Sequence, residues 1–98
     1  METYVTLVNF TEQGIKNIKE APARIDALGP TLEAAGGKLL GWYLTQGRYD
    51  VVTITQFPPD AKTGMSLLLA TGAQGNVRTE TMRAFTEAEF KDMVAKLP

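Results

Sequence analysis

At 98 residues, with 44% hydrophobic and 21% charged side chains and a net charge of −1, the chain reads as one globular domain spanning residues 1–98. Ten Lys and Arg against eleven Asp and Glu leave no excess of positive charge for a phosphate backbone, so nucleic acid is not an expected partner. With neither Cys nor His, disulfides, thiolate catalysis, imidazole bases and Cys- or His-ligated metals are excluded, and only carboxylates, Tyr and Lys remain for proton transfer.

Tyr4 to Val8 is rich in β-branched and aromatic residues and predicts a first strand ending near Asn9. Thr11 follows as an N-cap, with Phe10 and Ile15 at the spacing of a hydrophobic staple. Ile15, Ile18, Ile25, Leu28, Leu32 and Ala35 then recur mostly at three, four or seven residues, so a helical stripe runs to Gly36-Gly37. Pro22 and Pro30 lie inside it and predict kinks or breaks, giving two or three helical pieces on one face.

Leu39 to Thr45 and Tyr49 to Phe57 predict two strands joined through Gln46-Gly47-Arg48, where Gly47 supplies the positive φ of a tight hairpin. Pro58-Pro59-Asp60 suits a helix start, after which Ala61, Met65, Leu68, Leu69 and Gly72 mark a helical stripe ending near Gly75. Val77 to Phe85 predicts a fourth strand. Thr86-Glu87-Ala88-Glu89 has the form of a capping box, with Phe85 and Phe90 as a second staple and Phe90, Met93, Val94 and Leu97 lining a terminal helix.

The order βαββαβ plus a final α predicts an α+β, ferredoxin-like domain: a four-stranded antiparallel sheet with helices on one face. Such a sheet needs one apolar face, yet these strands carry two. The first strand sets Val5 and Leu7 against Tyr4 and Val8, the second sets Leu40, Trp42 and Leu44 against Leu39 and Tyr43, and the third sets Val52 and Ile54 against Tyr49, Val51 and Phe57. Left wet, the uncovered face would exceed the apolar patch that monomers usually tolerate. Burying even ~400 Å² of it per chain offers on the order of 10 kcal/mol before association costs, so a homodimer with sheets face to face, or a higher oligomer built from it, is expected.

The start Tyr4-Val5-Thr6-Leu7-Val8-Asn9-Phe10-Thr11, the hairpin Gly47-Arg48-Tyr49-Asp50 and the segment Gly75-Asn76-Val77-Arg78-Thr79-Glu80-Thr81 resemble the GYD domain family, over nearly the whole chain. The name-giving residues correspond to Gly47, Tyr49 and Asp50, with Arg48 between the first two. The resemblance implies a dimeric α/β barrel, in which two ferredoxin-like subunits pack their sheets around a small central cavity, and it assigns no molecular function. Gly29-Pro30 and Gly64 fall where a smoother helix is expected, which bears on local helix geometry and not on the fold.

Several residues are candidate ligand contacts, each with a structural reading beside it. Gly47-Arg48-Tyr49-Asp50 would place a phenol and a carboxylate together for proton transfer, or would simply be turn chemistry, with Asp50 accepting from backbone donors. Arg78 and Glu80, two apart on a strand, share a face and would hold a carboxylate ligand, or would form a cross-strand or subunit ion pair. Asn9, Trp42 and Tyr43 would border a pocket, or would anchor core and interface. Gly72-Ala73-Gln74-Gly75-Asn76 matches neither the P-loop nor the dinucleotide fingerprint, and no cofactor or metal is expected.

Three functions remain. The first is a homodimeric module binding a small organic molecule between its sheets. The second is a cofactor-independent monooxygenase or isomerase working through Asp50, Glu80, Tyr43 or Tyr49. The third is a purely structural oligomerisation module. The start lacks a signal-peptide pattern and no apolar run is long enough to span a bilayer, so a cytoplasmic location away from membranes is expected.

Overall fold

The computed structural model describes residues 1–59 and 61–98. The chain forms β1 (Glu2–Phe10), α1 (Glu12–Lys16), a 3-10 turn (Ile18–Glu20), α2 (Ala21–Ala34), β2 (Lys38–Leu44), β3 (Val51–Phe57), α3 (Ala61–Ala73), β4 (Val77–Ala84) and α4 (Glu87–Ala95). The strands make one antiparallel sheet in the order β2-β3-β1-β4, so each helical crossover returns past one intervening strand. This is the ferredoxin-like α+β arrangement. The predicted helix start at Pro58-Pro59-Asp60 falls partly on Asp60, outside the described residues.

Burial alternates along β3, with Val51, Thr53, Thr55 and Phe57 buried and Val52, Ile54 and Gln56 half-buried. Cross-strand register carries the same division through the sheet: Thr6 faces Thr53 and Thr81, and Val8 faces Val51 and Thr79. On this side Phe57 approaches Gly64 of α3, so it is the helix-covered side, and Val8, Val51 and Phe57 form its apolar centre.

In β2 the strict alternation expected from the sequence is corrected by a register shift between Leu39 and Gly41. The extra residue of the bulge puts Leu39 opposite Thr55, Trp42 opposite Thr53 and Leu44 opposite Val51, so all three lie on the helix-covered side and Leu39 no longer opposes Trp42.

The helical stripe is broken where expected at one proline and continuous at the other. The chain leaves α1 at Asn17, turns through Ile18–Glu20, and starts α2 with Pro22 in its first turn, where the missing N–H is no loss. Pro30 sits inside α2 without ending it. The break at Asn17 shifts the phase of the stripe: Leu32 is buried, whereas Ile15 and Ile18 are exposed. Gly47 has the expected positive φ, +137°, but the connection runs from Thr45 to Asp50 and is longer than the tight hairpin expected, so Tyr49 lies in the turn and not in β3.

α1 is clamped to the turn between α3 and β4. Thr11 N donates to Asn76 O at 3.0 Å, Thr11 Oγ1 to Gly75 O at 2.6 Å, and Gln13 Nε2 to Gln74 O at 2.8 Å. Gly14 is buried in this clamp, where a Cβ would stand 2.0 Å from Asn76 O. α4 begins with the predicted capping box: Glu89 N donates to Thr86 Oγ1 at 3.1 Å and Thr86 N to Glu89 Oε1 at 2.9 Å. Every residue from Phe85 to Pro98 is exposed, Phe90 by 61%.

Candidate functional site

The face of the sheet away from the helices carries Val5 and Leu7 from β1, Val52 and Ile54 from β3, Met82 from β4 and Tyr43 from β2. Val5 faces Ile54 and Met82, and Leu7 faces Val52 and Glu80, so the two central strands give a continuous aliphatic surface. Among the described residues little covers it: Met82 is 46% and Tyr43 60% exposed. A patch of this kind on a single domain marks an interaction surface.

At one end of that face the strand termini bring polar groups together. Leu7, Asn9, Tyr49, Arg78, Thr79 and Glu80 line a pocket of about 110 Å³. Asn9 and Arg78 are cross-strand partners, as are Leu7 and Glu80. Tyr49 reaches over β1 from the β2–β3 turn, and its hydroxyl donates to Glu80 Oε2 at 2.8 Å.

The turn that aims Tyr49 is tied down by its neighbour. Asp50 Oδ2 accepts from Phe10 N at 2.9 Å, Asp50 N donates to Val8 O at 2.9 Å, and Thr45 N donates to Asp50 O at 2.8 Å. Asp50 thus stitches the β2–β3 turn to the end of β1, and its side chain follows the turn-chemistry reading. Arg48 is exposed in the turn, and Tyr43 lies on the edge strand β2, with β3 and β1 between it and β4. The structure therefore groups Asn9, Tyr49, Arg78 and Glu80, and leaves Tyr43, Arg48 and Asp50 outside that group.

The hydrogen bond to Glu80, reinforced by the nearby negative charge, raises the Tyr49 pKa above 10.0. The phenol is therefore held protonated at neutral pH and is a poor base. Because the folded value is raised, the stabilisation is present below pH 10 and fades as the pH climbs through the folded pKa. Glu80→Gln is expected to return the Tyr49 titration toward 10, read by NMR of tyrosine ring carbons; an unchanged titration would show that Glu80 does not hold the phenol.

A second cleft, about 200 Å³, opens on the helix-covered side between α3 and the sheet, with Phe57, Met65 and Leu68 as walls and Tyr4, Thr6 and Thr81 beneath. Thr6 and Thr81 share a hydrogen bond at 3.0 Å. Arg83 stands at this cleft over the Phe85 ring at 4.3 Å, pairs with Glu2 at 3.8 Å and donates to the Thr3 and Ala84 carbonyls. Thr6 and Thr81, which sequence reasoning does not single out, occupy positions at the base of this cleft where a filled core would carry larger aliphatics.

Among the described residues no group of three or more His, Cys, Asp or Glu is placed to hold a metal ion, and no helix is long and apolar enough to cross a membrane.

Comparison with known proteins gives three likenesses. The profile described as "GYD domain" matches residues 4–94. A Thermus thermophilus protein named "Glutamine synthetase and cystathionine beta-lyase binding protein" is 30% identical over 98 residues, covering 99% of each chain. A crystal structure of a protein from Thermus thermophilus superposes with a TM-score of 0.48 at 24% identity, covering 88% of this chain and 95% of that one.

Proposed function

The chain belongs to the GYD domain family, and from that premise we propose that it is a homodimeric binding module, paired through the open face of its sheet, that attaches to a metabolic enzyme. The observation that carries this reading is the bare apolar surface: the sheet face of Val5, Leu7, Val52, Ile54 and Met82, and the exposed helix α4. Two such surfaces call for two kinds of partner. The sheet face is central and apolar, which suits a second copy of itself. α4 projects Phe90, Met93 and Val94 into solvent, with Leu97 exposed just beyond its end, and ion pairs run along it, Lys91 with Glu87 at 2.9 Å and the C-cap Lys96 with Asp92 at 2.9 Å. An amphipathic helix of this form docks by its apolar edge into a groove of another protein.

The relative that is 30% identical end to end is named for binding glutamine synthetase and cystathionine beta-lyase, which supports an enzyme as the partner. The acid–base inventory supports binding over catalysis. Asp50 accepts from the Phe10 amide and the Tyr49 hydroxyl donates to Glu80, so neither is poised as a general base. Pairing of the sheets would also roof the Asn9–Tyr49–Arg78–Glu80 pocket and make it a site for a small organic ligand.

Purified glutamine synthetase and cystathionine beta-lyase from the same organism test the reading directly. At least one is expected to bind the wild-type dimer, and Phe90→Glu with Met93→Glu is expected to weaken that binding at least about tenfold while the protein stays folded and dimeric. Binding of neither enzyme would overturn it, and full binding by the double variant would remove α4 from the contact.

A further inference from the structure

The pocket on the open face holds two opposite charges that do not neutralise one another. Arg78 and Glu80 leave β4 on the same side with a Cα spacing of roughly 7 Å. Among the described residues Arg78 has no carboxylate within ion-pair distance. Glu80 is turned instead toward Tyr49, whose hydroxyl occupies Oε2 and leaves Oε1 open. Asn9, directly across from Arg78, adds an amide that is likewise without a hydrogen-bond partner among the described residues. Leu7 supplies an apolar floor.

The arrangement discriminates by charge. A simple anion would meet Arg78 but be repelled by Glu80, and a simple cation would meet Glu80 but be repelled by Arg78. A molecule bearing a carboxylate and an ammonium on one carbon satisfies both and leaves the pocket neutral. We infer that this pocket takes a small zwitterionic α-amino acid, with its carboxylate on Arg78 and its ammonium on Glu80, the Asn9 amide standing across from Arg78 on the carboxylate's side. The guanidinium fork suits a carboxylate held by two parallel hydrogen bonds, and the remaining Glu80 oxygen suits an ammonium. A volume of about 110 Å³ restricts the guest to a short side chain lying on Leu7.

The inference rests on the paired-sheet reading. In one copy Arg78 and Glu80 face solvent, which screens them, and a second sheet is what removes them from water and strengthens each contact. Binding and pairing should therefore reinforce one another.

Thermal-shift and calorimetric titration of the full chain with glycine, L-alanine and L-serine, against propionate and ethylamine as the deaminated and decarboxylated counterparts of alanine, tests the site. The amino acids are expected to raise the melting temperature at millimolar concentration and the single-charge analogues are not. Arg78→Gln and Glu80→Gln are each expected to weaken binding at least about tenfold while sedimenting as dimers. A dimeric wild type that responds to no amino acid, or that binds propionate as well as alanine, would overturn the site alone. Dissociation of Arg78→Gln into monomers with no ligand response in the wild type would assign Arg78 to an ion pair between subunits. A monomeric wild type would remove the paired-sheet reading and this site with it.

Discussion

Ile54→Asp is expected to leave the protein folded and to abolish the proposed pairing of sheets. Ile54 sits on β3 opposite Val5, at the middle of the open face, and its side chain points away from Val51, Thr53 and Phe57 on the buried side. A carboxylate there stays hydrated in the isolated chain and costs the fold little. In a dimer with two-fold symmetry the same substitution enters the interface twice. At roughly 2 kcal/mol or more for each buried unpaired charge, association weakens by roughly a thousandfold or more. Sedimentation at micromolar concentration reads the change, and circular dichroism reports whether the fold is intact. Undiminished dimerisation of Ile54→Asp would move the interface elsewhere on the molecule.

Gly14→Ala is expected to have the largest effect on stability of any single added methyl group. A Cβ at Gly14 would stand 2.0 Å from the backbone oxygen of Asn76, and no side-chain rotation can relieve a clash with backbone. Either α1 or the α3–β4 turn must move, and the Thr11–Asn76 and Gln13–Gln74 hydrogen bonds go with it. Overpacking of this severity costs about 3 kcal/mol or more. For a domain of this size that lowers the melting temperature by roughly 12 °C or more. Gly72→Ala is the matched control, because a Cβ there meets nothing within 4 Å and Gly72 lies in the helix α3. It should be neutral or stabilising by roughly 0.5–1 kcal/mol. Equal melting temperatures for Gly14→Ala and Gly72→Ala would contradict the clamp.

What the sequence revealed and what it hid divide by the range of the interaction. β1, the Gly47 turn and the Thr86 capping box are set by residues a few positions apart, and each is legible from local pattern. The β2 bulge is different. Leu40 belongs to an alternating run that reads as regular, and only pairing with β3 reveals that Leu39 and Trp42 share a side. The role of Gly14 is hidden for the same reason, since the atom that forbids a side chain there belongs to Asn76 on a distant part of the chain.

The pocket follows the same rule. Arg78 and Glu80 share a face by simple alternation, which is legible in the sequence. Their partners Asn9 and Tyr49 join them because β1 lies between β3 and β4, a fact of sheet order. Tyr43 sits on the far edge strand and Asp50 faces a backbone amide, positions that follow from sheet order and turn geometry and that residue type alone does not reveal.

The proposed module forms only when a second copy covers the sheet's bare side. Sedimentation equilibrium of the wild-type chain, followed down in concentration through the micromolar range, measures this most directly. A mass twice the 10.7 kDa of one chain is the predicted result. A mass of 10.7 kDa that persists at high concentration would contradict it.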